Sequence, residues 1–288
     1  MNPTTDTTTP IVERPDSGSE RPVVVSIPHS GVFVPDEDRP LYAVDPDELS
    51  HAGDLYVDQL YRDAALLGAT VVRTPISRFV VDLNRAPDDL SPLSVAGGRV
   101  RREVGYYGHR GVFWAVTADG SAVYREPLPA DVVQRRLARY YHPYHEALRQ
   151  ELARTVRRHG FAILLDAHSM PSQARDGRGV GGARADIVPG NLLGESCGRA
   201  LTDAVVRFWR LHDRSVTVNR PYRGGAITRT HAAPSAGVHA IQIEINRALY
   251  MCETTLRFAP GFDDVRRQCS LFVAQLGELD LRAPARRG

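Results

Sequence analysis

The sequence contains no lysine: all 36 of its basic residues are arginine. That absence removes several chemistries at once. A Schiff-base enzyme and a pyridoxal phosphate site each need a lysine amine, as do the P-loop and the protein kinase signature. Cysteine is scarce as well. Cys197, Cys252 and Cys269 lie far apart, with neither zinc-finger spacing nor a paired framework, so a reducing cytoplasm is the expected setting. No apolar run approaches the ~20 residues that span a bilayer. The segment Met1–Pro10 is Thr-rich and lacks the basic and apolar regions of a signal peptide. A formal net charge of +2 gives no reason to expect nucleic acid or an anionic membrane as a partner.

What is present has the composition of an ordinary globular protein, with 42% hydrophobic and 24% charged residues among 288. Residues 1–20 are expected to form a disordered tail, residues 21–282 a single domain, and residues 283–288 a frayed end. Short β-branched runs predict strands at Val23–Ile27, Thr70–Thr74, Phe79–Leu83, Ala162–Asp166, Ser215–Val218 and Val238–Ile245. Amphipathic spacing predicts helices at Asp54–Leu67, Ala130–Arg158, Leu192–Leu211 and about Asp263–Leu279. Strands alternating with helices imply an α/β fold with a mixed, mostly parallel sheet covered on both faces. The long irregular stretch Ala86–Pro129, with five glycines from Gly97 to Gly111, reads as a lid or substrate-enclosing insertion.

Ligands in such sheets bind beyond the carboxyl ends of strands, so the residues just after each predicted strand matter most. Ile27-Pro28-His29-Ser30-Gly31 follows the first, Asp166-Ala167-His168-Ser169 the fourth, and Gln242-Ile243-Glu244-Ile245-Asn246 ends the last. Asp54 opens the first predicted helix. Two imidazoles and a carboxylate are a common ligand set for catalytic zinc, and a carboxylate left over can serve as general base. Each residue also has a plainer role. Asp54 alone is a good helix N-cap, Asp166 could be a satisfied polar group, and a histidine after a strand is often a turn residue. Glu244 is harder to explain that way, because a carboxylate in an apolar strand is costly unless partnered or facing a cavity.

Other segments suggest substrate contacts. Ser77–Arg85 carries Arg78 and ends on Asn84-Arg85, and arginine can bind a carboxylate through two parallel hydrogen bonds. In Tyr222–Arg229 a Gly224-Gly225 pair is flanked by Arg223 and Arg229; it allows close backbone approach to a ligand, or equally a hairpin turn. Tyr140–Glu146 resembles a metal cluster, but Tyr141, Tyr144, His145 and Leu148 fall on one helical stripe, which favours packing, with Pro143 kinking the helix. Ser30 and Ser169 stand in no Gly-x-Ser-x-Gly elbow.

Together, Ser26–Gly31, Ser77–Arg85, Asp166–Ser169, Tyr222–Arg229 and His239–Asn246 resemble, in order and spacing, the N-formylglutamate amidohydrolase (deformylase) family of histidine degradation. The resemblance runs from about Pro22 to Cys252. Asp54 also falls where that family keeps an aspartate, and Asp186 where it has an acidic residue before a Gly-containing loop. The resemblance implies a three-layer α/β/α sandwich similar to zinc carboxypeptidase-type hydrolases, forming one catalytic domain. It implies one divalent metal, zinc, with His29, Asp54 and His168 as ligands and Glu244 as the base that activates water. The substrate would be small and anionic, N-formyl-L-glutamate, bound by Asn84 and Arg85 and by Arg223, Gly224 and Arg229, with Arg78 beside the reacting carbonyl. Three features depart from the pattern. His29 does not begin the carboxypeptidases' His-x-x-Glu, Arg223 stands where family members often have lysine, and the region Leu90–Tyr107 is enlarged and rich in arginine. Another N-acyl amino acid, a short peptide, or a catalytically silent binding role are the alternatives.

Overall fold

In the computed structural model, the described residues are 10–100, 108–117, 120–173 and 182–282. The strands are β1 (Ile11–Glu13), β2 (Val23–Ile27), β3 (Thr70–Arg73), β4 (Ala162–Met170), β5 (Ile187–Gly190) and β6 (Val238–Asn246). They form one six-stranded sheet in the order β1-β3-β2-β4-β6-β5. β2 pairs with β4 and β4 with β6 in parallel, whereas β5 runs antiparallel to β6, which makes the sheet mixed. Helices lie on both of its sides, as expected for an α/β fold. They are α1 (Pro46–Ser50), α2 (Val57–Leu60), α3 (Ala130–Arg136), α4 (His142–His159), α5 (Arg199–Leu211), α6 (Ala226–His231) and α7 (Phe262–Gly277).

The chain divides into two compact units. The first takes Pro28–Leu55 and Val72–Ala147 with the described part of Met1–Ile11; the second takes Val12–Ile27, Tyr56–Val71 and Leu148–Gly288. In the second unit, β2 and β4 are buried along their whole length, as is β6 beyond Val238, as expected for the inner strands of a sheet covered on both faces. Helix α7 turns Val265, Cys269, Phe272, Val273 and Leu276 inward at helical spacing. It packs on β2 and α2. Phe208 and Trp209 of α5 meet Phe272 through rings about 5 Å apart (5.1 Å in each pair). In the first unit the fully buried Arg136 donates to the Val80 carbonyl and to the Tyr124 hydroxyl, and its Nε lies 3.2 Å from Asp38.

Several expectations change. Phe79–Leu83 is not a strand but a series of turns. Its carbonyls are taken by side chains rather than by a ladder: Phe79 O accepts from Tyr42 and Tyr124, and Val80 O from Arg136. Asp54–Leu67 contains only the single turn of α2, since Tyr56 enters it at φ 68°. Ser215–Val218 contributes one isolated bridge, Val216 to Ile187. The helix expected from Leu192 begins at Arg199, because Leu192, Leu193 and Gly194 all have positive φ. Ala130–Arg158 is helical as expected, and where Pro143 was to kink it a π turn at Leu137–Tyr141 sits just upstream. The missing proline N–H would otherwise have bonded Arg139 O.

Two strands escaped the sequence. β1 lies within the supposed tail, of which residues 1–9 fall outside the described residues, as do 283–288. β5 contains Pro189, which an edge strand tolerates. The described part of the 86–129 stretch contributes to the first unit's core, with Val112, Phe113 and Val123 fully buried, while residues 101–107 and 118–119 lie outside the described residues.

Candidate active site

Within the first unit, His29 and Asp54 come together. The Asp54 amide donates to His29 O at 2.9 Å, and Asp54 Oδ2 lies 3.4 Å from His29 Nδ1. Both side chains are buried. Asp54 does not cap a helix, because the N-cap of α2 is Tyr56. The other imidazole nitrogen, Nε2, meets Asp82 Oδ1 at 2.8 Å. A carboxylate accepts, so this contact puts the ring proton on Nε2 and turns the Nδ1 lone pair toward Asp54. Two acceptor atoms facing each other at this distance suit a shared cation. Gly31 fits the same turn closely: a Cβ there would stand 2.4 Å from the Pro75 carbonyl carbon.

Asp82 is the residue that sequence reasoning missed. It was visible only as one letter in a presumed strand, yet its carboxylate accepts from His29, from Arg78 at 2.7 Å, from the Trp114 indole at 2.8 Å and from the Asn84 amide at 2.9 Å. Burial alone would raise its pKa, but Arg78, His29 and Arg85 outweigh that and hold the carboxyl well below its usual range. Arg78 lies 4.5 Å over the Trp114 ring and also comes within 3.8 Å of Asp54. Arg85 donates to Arg110 O, while its own carbonyl accepts from Tyr141. His145 Nε2 bonds Leu83 O at 2.9 Å, and Tyr144 bonds Val72 O. The Tyr140–Glu146 cluster therefore packs, as expected, and buttresses the segment carrying Asp82, Asn84 and Arg85.

Within the second unit, the parallel register of β4 and β6 sets Asp166 opposite Gln242 and His168 opposite Glu244. Since alternate residues share a face, these four polar side chains form one block in an otherwise apolar sheet. His168 Nε2 lies 3.2 Å from Asp166 Oδ1, the same imidazole–carboxylate arrangement as in His29 and Asp82. Asp166 also accepts from Ser26 at 3.1 Å and Thr228 at 3.4 Å. Gln242 donates to Glu244 Oε1 at 2.9 Å, and its own carbonyl oxygen accepts from the Gly225 amide at 2.9 Å. Burial pushes the nearby His231 imidazole down to about 4, against the opposing pull of Asp166.

The Gly-Gly pair is not a hairpin: Gly225 is the N-cap of α6. Gly224 has φ 114°, and a Cβ on Gly190 would come within 2.6 Å of its nitrogen. Leu192 N donates to Arg223 O at 2.7 Å, which ties this loop to the end of β5. Arg223 and Arg229 are exposed.

Among the described residues, no helix is long and apolar enough to cross a membrane. Comparison with known proteins is consistent across sequence and fold. Residues 21–251 match the family N-formylglutamate amidohydrolase. The chain is 34% identical to the N-formylglutamate deformylase of Pseudomonas putida over 236 residues, covering 81% of this chain and 83% of that one. It is 33% identical to that of Pseudomonas aeruginosa over 243 residues, with the same coverage. The crystal structure of N-formylglutamate amidohydrolase from Ralstonia eutropha superposes with a TM-score of 0.82 at 30% identity, over 94% of this chain and 98% of that one. An Agrobacterium tumefaciens gene product, at 20% identity and a TM-score of 0.66 over 94% and 93% of the two chains, shares the fold. With four-fifths of its length matched in sequence and its sheet matched in space, the chain belongs to the N-formylglutamate amidohydrolase family, hydrolases of carbon–nitrogen bonds other than peptide bonds.

Proposed function

We propose that the protein hydrolyses N-formyl-L-glutamate to formate and L-glutamate, using a divalent metal, zinc, held by His29, Asp54 and His168, with Glu244 as general base. One observation carries the reading: both histidines direct Nε2 at a buried carboxylate, Asp82 or Asp166. Carboxylate partners of this kind orient imidazole ligands and raise their basicity, and they make Nδ1 the donor in both rings. The donor set of two imidazoles and one carboxylate, all buried, suits zinc.

When bound, such an ion supplies Lewis-acid activation of water and of the formyl carbonyl. The rest falls to the chain. Glu244 accepts a proton from the attacking water as the new C–O bond forms. It then delivers that proton to the amine nitrogen as the C–N bond breaks. Arg78, anchored by Asp82, lends positive charge near the developing oxyanion. Asn84 and Arg85 hold one substrate carboxylate, and Arg223 or Arg229 the other, with Gly224 admitting close backbone approach. The three free thiols suit a reducing cytoplasm.

Steady-state turnover of N-formylglutamate should exceed that of N-acetylglutamate and of glutamyl peptides; faster turnover of either analogue would overturn the substrate assignment. Purified protein should carry about one equivalent of metal. Full activity in metal-free protein would sink the ligand assignment, and Glu244→Gln should lose ~10²–10⁴-fold in kcat with the metal retained.

A further inference from the structure

We infer that Gln242 is a positioning residue that couples the Gly224-Gly225 loop to Glu244, an inference that rests on the reading of Glu244 as base. The amide side chain has two ends, and each is committed. Its oxygen accepts from the Gly225 amide at 2.9 Å, and its nitrogen donates to Glu244 Oε1 at 2.9 Å. Because a backbone N–H can only donate, the first bond fixes which way the amide faces. The second bond then presents an N–H, never a carbonyl, to the carboxylate. Gln242 is 3% exposed, so water does not readily substitute for either contact.

The setting strengthens the assignment. β6 lies between β4 and β5, so the backbone of Gln242 and Glu244 is held on both sides: Gln242 faces Asp166 and Gly190, and Glu244 faces His168 and Val188. The Glu244 carboxylate therefore takes its direction from side-chain bonds on a rigid strand. Gly225 adjoins Gly224, which packs against Gly190 on β5 and against Leu192 and Thr228. A shift of this loop, such as one that accompanies capture of a substrate carboxylate, passes through one amide to the base. An apolar side chain in place of Gln242 would leave Gly225 N–H and Glu244 Oε1 each short of one partner.

Two variants of the metal-loaded enzyme separate the ends of the amide. Gln242→Glu keeps an oxygen for Gly225 but faces Glu244 with an acceptor of like charge. Its kcat should fall by ~10²-fold, with KM within about threefold and hydrogen exchange at the Gly225 amide unchanged. Gln242→Met removes both bonds, so kcat should fall, KM should rise, and Gly225 should exchange at least tenfold faster. A purely structural role would spare kcat in folded Gln242→Glu; wild-type kcat there overturns the inference. Wild-type protection of Gly225 in Gln242→Met overturns it as well. Glu244→Gln distinguishes the underlying reading: if it stays active, the base assignment fails, and this inference falls with it. If Glu244→Gln is inactive while Gln242→Glu turns over normally, only the coupling is wrong.

Discussion

Asp82 and Asp166 each face an imidazole Nε2, yet one sits in an irregular loop of the first unit and the other in a central strand of the second. The strand solution is economical. A pleat puts residues i and i+2 on one face, so Asp166 meets His168, and Ser26 and Thr228 add donors to it. The loop solution needs more support. Asp82 takes four donors, and the turns around it are held from behind by Tyr42, Tyr124, Arg136, Tyr141 and His145. A regular ladder fixes geometry with backbone bonds, whereas an irregular segment must borrow buried side chains to reach the same precision.

Removing the charge of Asp82 should be the most damaging change. Asp82→Asn leaves the largely buried Arg78 short of its closest carboxylate, at a cost of about 3–5 kcal/mol in urea unfolding. A loss below about 1 kcal/mol would mean that the backbone clamps alone hold the loop. Next comes a pH effect specific to the second unit. The His231 pKa is lowered to about 4 in the folded protein, so between pH 6.5 and 4 the unfolded chain binds the proton that the folded one refuses. Stability then falls as pH falls through that window, by on the order of 3 kcal/mol. His231→Gln should flatten the slope, and an unchanged slope would assign the proton uptake elsewhere.

Asp166→Asn should cost less than Asp82→Asn, about 1–2 kcal/mol, because the ladder survives and an amide oxygen can still accept. Equal losses at the two positions would erase the distinction between strand and loop. Both variants should still weaken binding of the proposed metal about 10–100-fold in competition with a chelator. The smallest effect belongs to Trp114→Phe, which removes one of four donors to Asp82. About 1 kcal/mol is expected from thermal unfolding.

The strand-borne candidates were the more legible in the sequence. His168 follows the apolar run Ala162–Leu165, and Glu244 interrupts a run of isoleucines, where a carboxylate stands out. Val23–Ile27 and Val238–Ile245 were readable from such apolar runs. The loop-borne candidates were less legible. Phe79–Leu83 has the composition of a strand, and nothing local reveals that its carbonyls bond to residues 37 to 56 positions away. By its local sequence Asp54 could equally have been a helix cap, and the family resemblance alone set it beside His29. Tyr56, not Asp54, caps the helix, and the Asp54 carboxylate lies 3.4 Å from His29 Nδ1.

By itself the sequence determined the chemistry on offer. It supplies no lysine, it places imidazoles and a carboxylate in or just after strands, and its ordered motifs identify the family. Those features depend on residue type and short-range spacing, which a linear chain states directly. The tertiary structure decided which carboxylate backs each histidine, which end of Gln242 faces Glu244, and that Arg78 is anchored by Asp82. Such contacts join segments up to 53 residues apart, as His29 and Asp82 are. They exist only after burial makes an unpartnered polar group too costly to leave alone.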